Sequence, residues 1–277
     1  ADTSYWPDDE AVRQSLEFMP IYRRLSRGRL RMVLEAIEDQ RRGFTGTSAN
    51  AKGEQPVVRE ECTIEHVMPQ KWGQHWPLPE DVTGHDRDAL IHTLGNLTLV
   101  SKALNPSMSN AVWNGDQGKR AALTEYSSIK LTADAITRAD VAGNGWDESL
   151  IEDRTLTLID DILATWPVPA GHANDGRHGV PGQGDTSIRD LLEAGLLTAG
   201  QVLFSGAGKY RDATATVTSD GLLKVDAKLF ESPSGAGKAA TKRRSVNGWA
   251  FWRVDSPQGP RLQELRDRLA PEREADE

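Results

Sequence analysis

The stretch CTIEHVMPQKW (residues 62–72), continued after a polar bend by HTLGNLTLVSKALNPSMSNAVWNGDQGK (residues 92–119), decides how this chain is read. Thr63 to Val67 has the make-up of a short strand ending in a carboxylate and an imidazole, and Pro69, which has no N–H for a ladder, stops it. Leu97 to Val100, introduced by Gly95-Asn96, alternates a polar side chain with apolar ones and reads as a second strand. Ser101 to Asn105 then turns into a polar, helix-compatible segment carrying Asn105 and Asn110. Strand, turn, strand, helix gathers one imidazole, one carboxylate and several carboxamides within reach of a single point. Hydrolysis of a phosphodiester asks for a base acting on water, a hard cation on the phosphate oxygens, and a partner that fixes the imidazole tautomer.

These residues resemble the HNH, or ββα-metal, nucleases, in the version found at the C-terminal end of GmrSD-type modification-dependent restriction enzymes. The likeness is carried by IEHVMPQ (64–70), LGNLTL (94–99), Leu104-Asn105, Ser109-Asn110 and the downstream Lys119. It implies His66 as general base, Glu65 as a ligand of a divalent metal, and Asn96 holding the His66 ring by accepting its other N–H. It further implies Asn105 as second metal ligand, with Lys119 and Asn110 facing the phosphate. Mg²⁺ is the implied cation, with Mn²⁺ a substitute. Two departures stand out: Glu65 occupies a position where many such enzymes have Asp, and the CxxC pairs that frame many HNH modules are missing, so no structural zinc is expected. A zinc cluster of His66, His75, His85 and His92 is disfavoured because the spacings match no common zinc motif, although His92 keeps a claim as an extra ligand. Trp72 and Trp76 read as packing the intervening loop onto the domain rather than stacking on bases.

The composition bounds the rest. With 277 residues, 38% hydrophobic and 27% charged, the chain is long enough for two ordinary domains. A net charge of −8 has the wrong sign for a protein that coats nucleic acid, so a DNA enzyme of this composition must concentrate positive charge locally. One cysteine, Cys62, excludes an internal disulfide framework and fits a reducing cytoplasm. No apolar run reaches membrane-spanning length, and no signal peptide is visible. The chain opens ADTSYWPDDE without Met, which suggests a fragment or processed form; the family resemblance implies an upstream NTPase module as a partner.

From Asp9 to Arg42, apolar residues recur at helical steps, with Pro20 separating two helices. Arg23, Arg24, Arg27, Arg29 and Arg31 crowd their junction; a solvated helical face is the simpler reading and a phosphate-binding rim the alternative. Phe44 to Pro56 reads as a loop. Arg120 to Ser128 reads as a helix and Thr132 to Ala139 as a short element after it, and Asp147 to Trp166 as an amphipathic helix with Leu150, Ile151, Leu158, Ile159 and Ile162 buried and its charges on a wet face. Pro167 to Asp185 has the Gly, Pro and polar make-up of a linker.

A second domain follows. Thr186 to Gly195 is a capped helix with a glycine stop, and Gln201–Phe204, Ala213–Thr218 and Leu222–Val225 read as strands, the last two joined by a hairpin at Asp220-Gly221. A small-residue helix with Lys238, Lys242, Arg243 and Arg244 comes next, then an aromatic closing strand from Asn247 to Trp252. DLLEAGLLTAG, VTSDGLL, SPSGAGKAA and NGWAFW, in that order, are similar to the RAMA domain of restriction and modification enzymes. That resemblance implies a reader of modified DNA, with Ser232, Ser234, Lys238, Arg243, Asn247 and Trp249 near the nucleic acid; core packing is the alternative for the aromatics. The tail from Pro260 reads as an exposed, charged helix.

The expectation is an α+β protein: a mainly helical nuclease domain around a ββα-metal core (residues 1–170), a linker (171–185), a small α+β RAMA-like reader (186–255) and a charged tail (256–277). The expected function is modification-dependent cleavage of double-stranded DNA, with transient homodimers favoured for cutting both strands. A non-catalytic binder of modified DNA would bind without metal-dependent cleavage, and an RNA nuclease would prefer RNA over modified DNA.

Overall fold

Strand β1 (Cys62–His66) and strand β2 (Leu97–Ser101) pair antiparallel, with Glu65 opposite Thr98 and His66 opposite Leu97. Val67 falls outside the strand because its N–H bonds to the carbonyl of Asn96, where the chain already turns. The structure is a computed structural model that describes residues 7–44, 56, 62–80, 82–101, 110–126, 128–143, 145–169, 186–206, 209–243 and 246–274. Asn105, the loop residues 45–55 and the linker residues 170–185 lie outside the described residues. The chain is α+β and divides into two units, Met19–Pro169 and a second made of Ala1–Phe18 with Ala170–Glu277.

The first unit surrounds the β1–β2 pair with helices α2 (Ile21–Arg24), α3 (Arg27–Arg42), α4 (Gly84–Leu90), α5 (Lys119–Tyr126), α6 (Lys130–Ala142) and α7 (Glu148–Thr165). Ser26 caps α3, and Gly43 ends it with φ 96°. Leu30, Leu34 and Ile37 form the buried face of α3, as their spacing predicts. Asp147 caps α7, and Ile151, Leu158 and Ile159 are fully buried along it.

The charges of α7 depart from the wet-face expectation. Arg154 is fully buried, donating to the carbonyls of Gly95, Leu97 and Leu131 and to Asp134 at 3.0 Å. Glu148 is also buried, 2.5 Å from Arg87 of α4. A guanidinium carries five donors in a rigid fork, so one Arg satisfies carbonyls of the turn before β2 and of α6 together. Gly95 is forced: a Cβ there would lie 2.0 Å from the Ile151 carbonyl oxygen, so only glycine lets this turn lie against α7.

The second unit holds a five-stranded antiparallel sheet in the order β6-β5-β4-β3-β7, built from β3 (Val202–Ser205), β4 (Thr214–Val217), β5 (Leu223–Val225), β6 (Lys228–Phe230) and β7 (Trp252–Val254). Its helices are α1 (Asp9–Leu16), α8 (Ile188–Glu193), α9 (Pro233–Thr241), α10 (Gly248–Phe251) and α11 (Leu262–Glu274). Ser187 and Asp190 form a capping box on α8, and Gly221 makes the β4–β5 turn with φ 76°.

Three expectations change in this unit. The helical stretch from Asp9 to Arg42 is broken into three helices, and α1 with Phe18 belongs with the C-terminal residues rather than with α2 and α3. Residues 248–251 form a helix, not a strand: Asn247 accepts from the Ala250 N–H as its cap, and Gly248 lies so close to Pro233 that a Cβ would be 2.0 Å from the Pro233 carbonyl carbon. The tail is not an exposed helix either, because Leu262, Leu265 and Leu269 of α11 enter the core beside Trp252 and Val254.

Candidate active site

The β1–β2 pair ends at a corner built by Asn96. Its side-chain oxygen accepts from the Met68 N–H at 2.8 Å and from the Trp146 indole at 3.0 Å, while its amide donates to the Met68 and Ile91 carbonyls. With its oxygen accepting twice and its amide donating twice, the carboxamide is occupied. Asn96 therefore does not hold the His66 ring, as the resemblance implied; it clamps the peptide just after His66 and so fixes the direction in which that residue leaves the strand.

The ring contact belongs to His92. His66 Nε2 lies 3.3 Å from His92 Nδ1, with the two rings edge to face. Tyr22 of α2 closes the cluster, meeting His66 edge-on at 4.2 Å between centroids and stacking on His92 at 5.6 Å. Burial, with the neighbouring His92, Lys119 and Arg27, pushes the His66 pKa down to about 3. His92 is pushed down to about 4 by burial and by Arg23, against a smaller opposing effect of Asp88. Both imidazoles are neutral at neutral pH, with a free lone pair each but less basicity than an ordinary histidine.

Lys119 is also placed differently from the expectation that it faces a phosphate. It is fully buried at the start of α5, with its ammonium 2.6 Å from Glu65 Oε1 and donating to the His66 carbonyl. Burial lowers its pKa and Glu65 opposes that shift. A buried ammonium needs a carboxylate and carbonyls around it, and the end of β1 supplies both. Lys119 thus fixes the Glu65-His66 pair from beneath. Asn110 is half-buried ahead of α5.

Of the arginines at the α2–α3 junction, Arg23 and Arg27 are exposed and their charge is felt at the histidines; the Arg27 guanidinium carbon lies 3.3 Å from the centroid of the Tyr22 ring. Tyr22 was not legible as a site residue, since nothing in its spacing separates it from a helix side chain. Trp76 is buried and donates to the Ala111 carbonyl, and Trp72 donates to Asp88, in keeping with a packing role.

No group of three or more His, Cys, Asp or Glu that could hold a metal is present among the described residues. Glu65 still has the donor chemistry for a hard divalent cation. One of its oxygens faces Lys119, a carboxylate has a second, and the side chain keeps 22% exposure. Mg²⁺ commonly retains several waters and takes only one or two carboxylates, so a single, partly exposed protein carboxylate fits that cation.

In the C-terminal unit the residues expected near DNA hold the unit together. Ser232 caps α9, and Ser234 Oγ accepts from the Gly248 N–H at 3.2 Å. Lys238 is 2.7 Å from Glu10, Arg243 is 2.5 Å from Glu17, and Asn247 donates to the Gln14 carbonyl at 2.8 Å. Glu17, buried, also accepts from the Asn247 N–H; burial raises its pKa and Arg243 opposes the rise. Trp249 packs against the core under the Arg266 guanidinium.

Two family models match the chain. Residues 6–161, more than half of it, match the GmrSD restriction endonucleases, C-terminal domain. Residues 171–275 match the family described as Restriction Enzyme Adenine Methylase Associated. No curated protein matches the chain.

Proposed function

The chain belongs to the family of the GmrSD restriction endonucleases, C-terminal domain, and on that premise we propose that it is a modification-dependent DNA endonuclease of the HNH type. Family membership carries restriction-system nuclease activity on DNA; the HNH chemistry, the cation and the sensing of a modified base belong to this proposal. The observation that carries it is the placement of the His66 imidazole, next to Glu65 and in contact with His92, where the antiparallel strands β1 and β2 end.

His66 is the general base. Only one proton fits between the facing nitrogens of His66 and His92. When His66 Nε2 donates to His92 Nδ1, the Nδ1 of His66 is left bare to take a proton from water. His92 then performs the tautomer-fixing role that the resemblance gave to Asn96, and a neutral base next to a phosphodiester can act without first losing a proton. Asn96 and Lys119 position the corner; Arg27 and Arg23 provide positive charge near the histidines for a phosphate. Mg²⁺, or Mn²⁺ in its place, would be held by Glu65, with Asn105 as the second proposed protein ligand, and would supply charge stabilisation to the phosphate oxygens. The C-terminal unit is the part that senses the modified base. Transient homodimers of the chain, and an NTPase module supplied with it, complete the proposed partners.

The test is cleavage of duplexes with and without modified bases in the presence of Mg²⁺, beside His66→Ala. Wild-type cutting that depends on the metal and on the modification, and is lost in the variant, is the expected result. A His66→Ala protein that cuts at the wild-type rate overturns the assignment of the base.

A further inference from the structure

The cations and the carboxamide of the α9–α10 edge already face the acidic N-terminal segment, through Glu10 and Glu17 and the Gln14 carbonyl. Carboxylates stand there where DNA phosphates would otherwise be expected. A different surface of the same unit carries an open depression. A cavity of about 700 Å³ opens beside β4 and β5, lined by Lys209, Tyr210, Asp212, Thr214, Thr216 and Lys224. That volume lies within the ~300–1,000 Å³ typical of small-molecule sites.

Strand alternation places these groups. Ala215, Val217, Leu223 and Val225 are buried in the core, so Thr214 and Thr216 of β4 and Lys224 of β5 lie on the opposite face. Thr216 is paired in register with Lys224. Tyr210 is half-buried against the core, with Lys209 Nζ 5.6 Å and the Arg243 guanidinium 5.9 Å from its ring centroid. Asp226, at the β5–β6 turn, adds a second carboxylate to the rim.

The charge pattern identifies the ligand class. The two carboxylates offset the two lysines of the lining, so the cavity has no net positive charge to follow a stretch of backbone. They do suit an exocyclic amino group, as Asp and Glu accept from cytosine N4 in base readout. An aromatic face beside them suits a base taken out of the stack, and ammonium groups at the rim suit the phosphates on either side of it.

We propose that this cavity receives a single nucleotide extruded from the duplex, carrying an amino-bearing base, cytosine or adenine. Tyr210 packs on the base, Asp212, Asp226, Thr214 and Thr216 meet its polar edge, and Lys209 and Lys224 meet its flanking phosphates. This rests on the reading of the chain as a modification-dependent DNA enzyme, and it assigns the sensing step to this cavity rather than to the α9–α10 edge.

The test uses the full chain in EDTA, so that binding is measured without cleavage. Duplexes differ at one position: cytosine, 5-methylcytosine, 5-hydroxymethylcytosine, adenine, N6-methyladenine or 5-hydroxymethyluracil, each beside 2-aminopurine, whose fluorescence rises when its neighbour leaves the stack. Wild type is expected to bind at least one modified amino base ~10-fold or more tighter than its unmodified form, with a fluorescence rise. Tyr210→Ala, Thr216→Val and Lys224→Met are each expected to reduce that preference and the rise. Thr216→Val and Lys224→Met alter only exposed or half-exposed strand positions, so they report even where Tyr210→Ala unfolds the unit. A wild-type preference that persists unchanged in all three variants, or a preference for 5-hydroxymethyluracil over every amino base, overturns the cavity assignment alone. Absence of any preference in wild type removes the functional reading beneath it, and the assignment with it.

Discussion

His66 Nε2 and His92 Nδ1 face each other at 3.3 Å inside the corner that β1 leaves, although they stand 26 positions apart in the chain. One ring reaches that point from the strand end, the other from the turn after α4. If His92 orients the base, His92→Ala lowers kcat by ~10–100-fold with KM little changed, the range seen when an orienting partner is removed. His66→Ala lowers it by ~100–10,000-fold, the usual contribution of a general base. Steady-state cleavage of a modified duplex separates the two; a His92→Ala enzyme with wild-type kcat removes His92 from the mechanism.

The same pair sets an acid dependence of stability. Both imidazoles have folded pKa values near 3 and 4, below the ordinary 6.5. Between those values the unfolded chain binds more protons than the folded one. Stability is therefore full above pH 6.5 and falls as pH drops toward 4, by at most ~1.4 kcal/mol per pH unit for each histidine. Thermal melts of the first unit's transition in EDTA, from pH 7.5 to 4.5, should show this slope, and His92→Gln should flatten it.

Lys119→Met distinguishes a buried anchor from a phosphate contact. Removing the ammonium leaves the His66 carbonyl without its donor and Glu65 without its counter-charge, which costs roughly 1–3 kcal/mol. The expected outcome is a lower denaturation midpoint and slower cleavage, with an unchanged salt dependence of DNA binding. A salt slope reduced by about one unit would instead place Lys119 on a phosphate.

Gly95→Ala puts a methyl group 2.0 Å from the Ile151 carbonyl oxygen, with the Thr155 hydroxyl oxygen at 2.4 Å. Forced overpacking of this kind costs ~1–3 kcal/mol or more. Because the turn carries Asn96, the substitution should also loosen the corner that aims His66, seen as a lower melting temperature together with reduced kcat.

Glu17→Ala examines the N-terminal segment. It removes the acceptor of the Asn247 N–H and the partner of Arg243, a loss of roughly 1–3 kcal/mol for buried donors left unmet. Limited proteolysis should then release the residues after 186 faster, while unchanged protection would show that the segment contributes nothing to that unit.

The sequence alone determined the things that local chemistry controls: the strand ending in Glu65-His66, the amphipathic helix α7, the capped helix α8, the turn at Asp220-Gly221, and the two families the chain resembles. Strand alternation, caps and glycine turns are written in neighbouring residues, and so they are readable without a fold. Only the tertiary structure decided which residue meets the His66 imidazole. Asn96 and His92 are four residues apart and both polar, and which one reaches the ring depends on where the chain between β1 and β2 returns. Lys119 was expected on a phosphate and Arg154 on a wet helix face, because a linear pattern shows spacing but not the carbonyls and carboxylates that other elements bring to a buried cation. The same holds for α1: its pattern runs on toward α3, yet Glu10 and Glu17 find their opposite charges on Lys238 and Arg243, more than two hundred residues away along the chain.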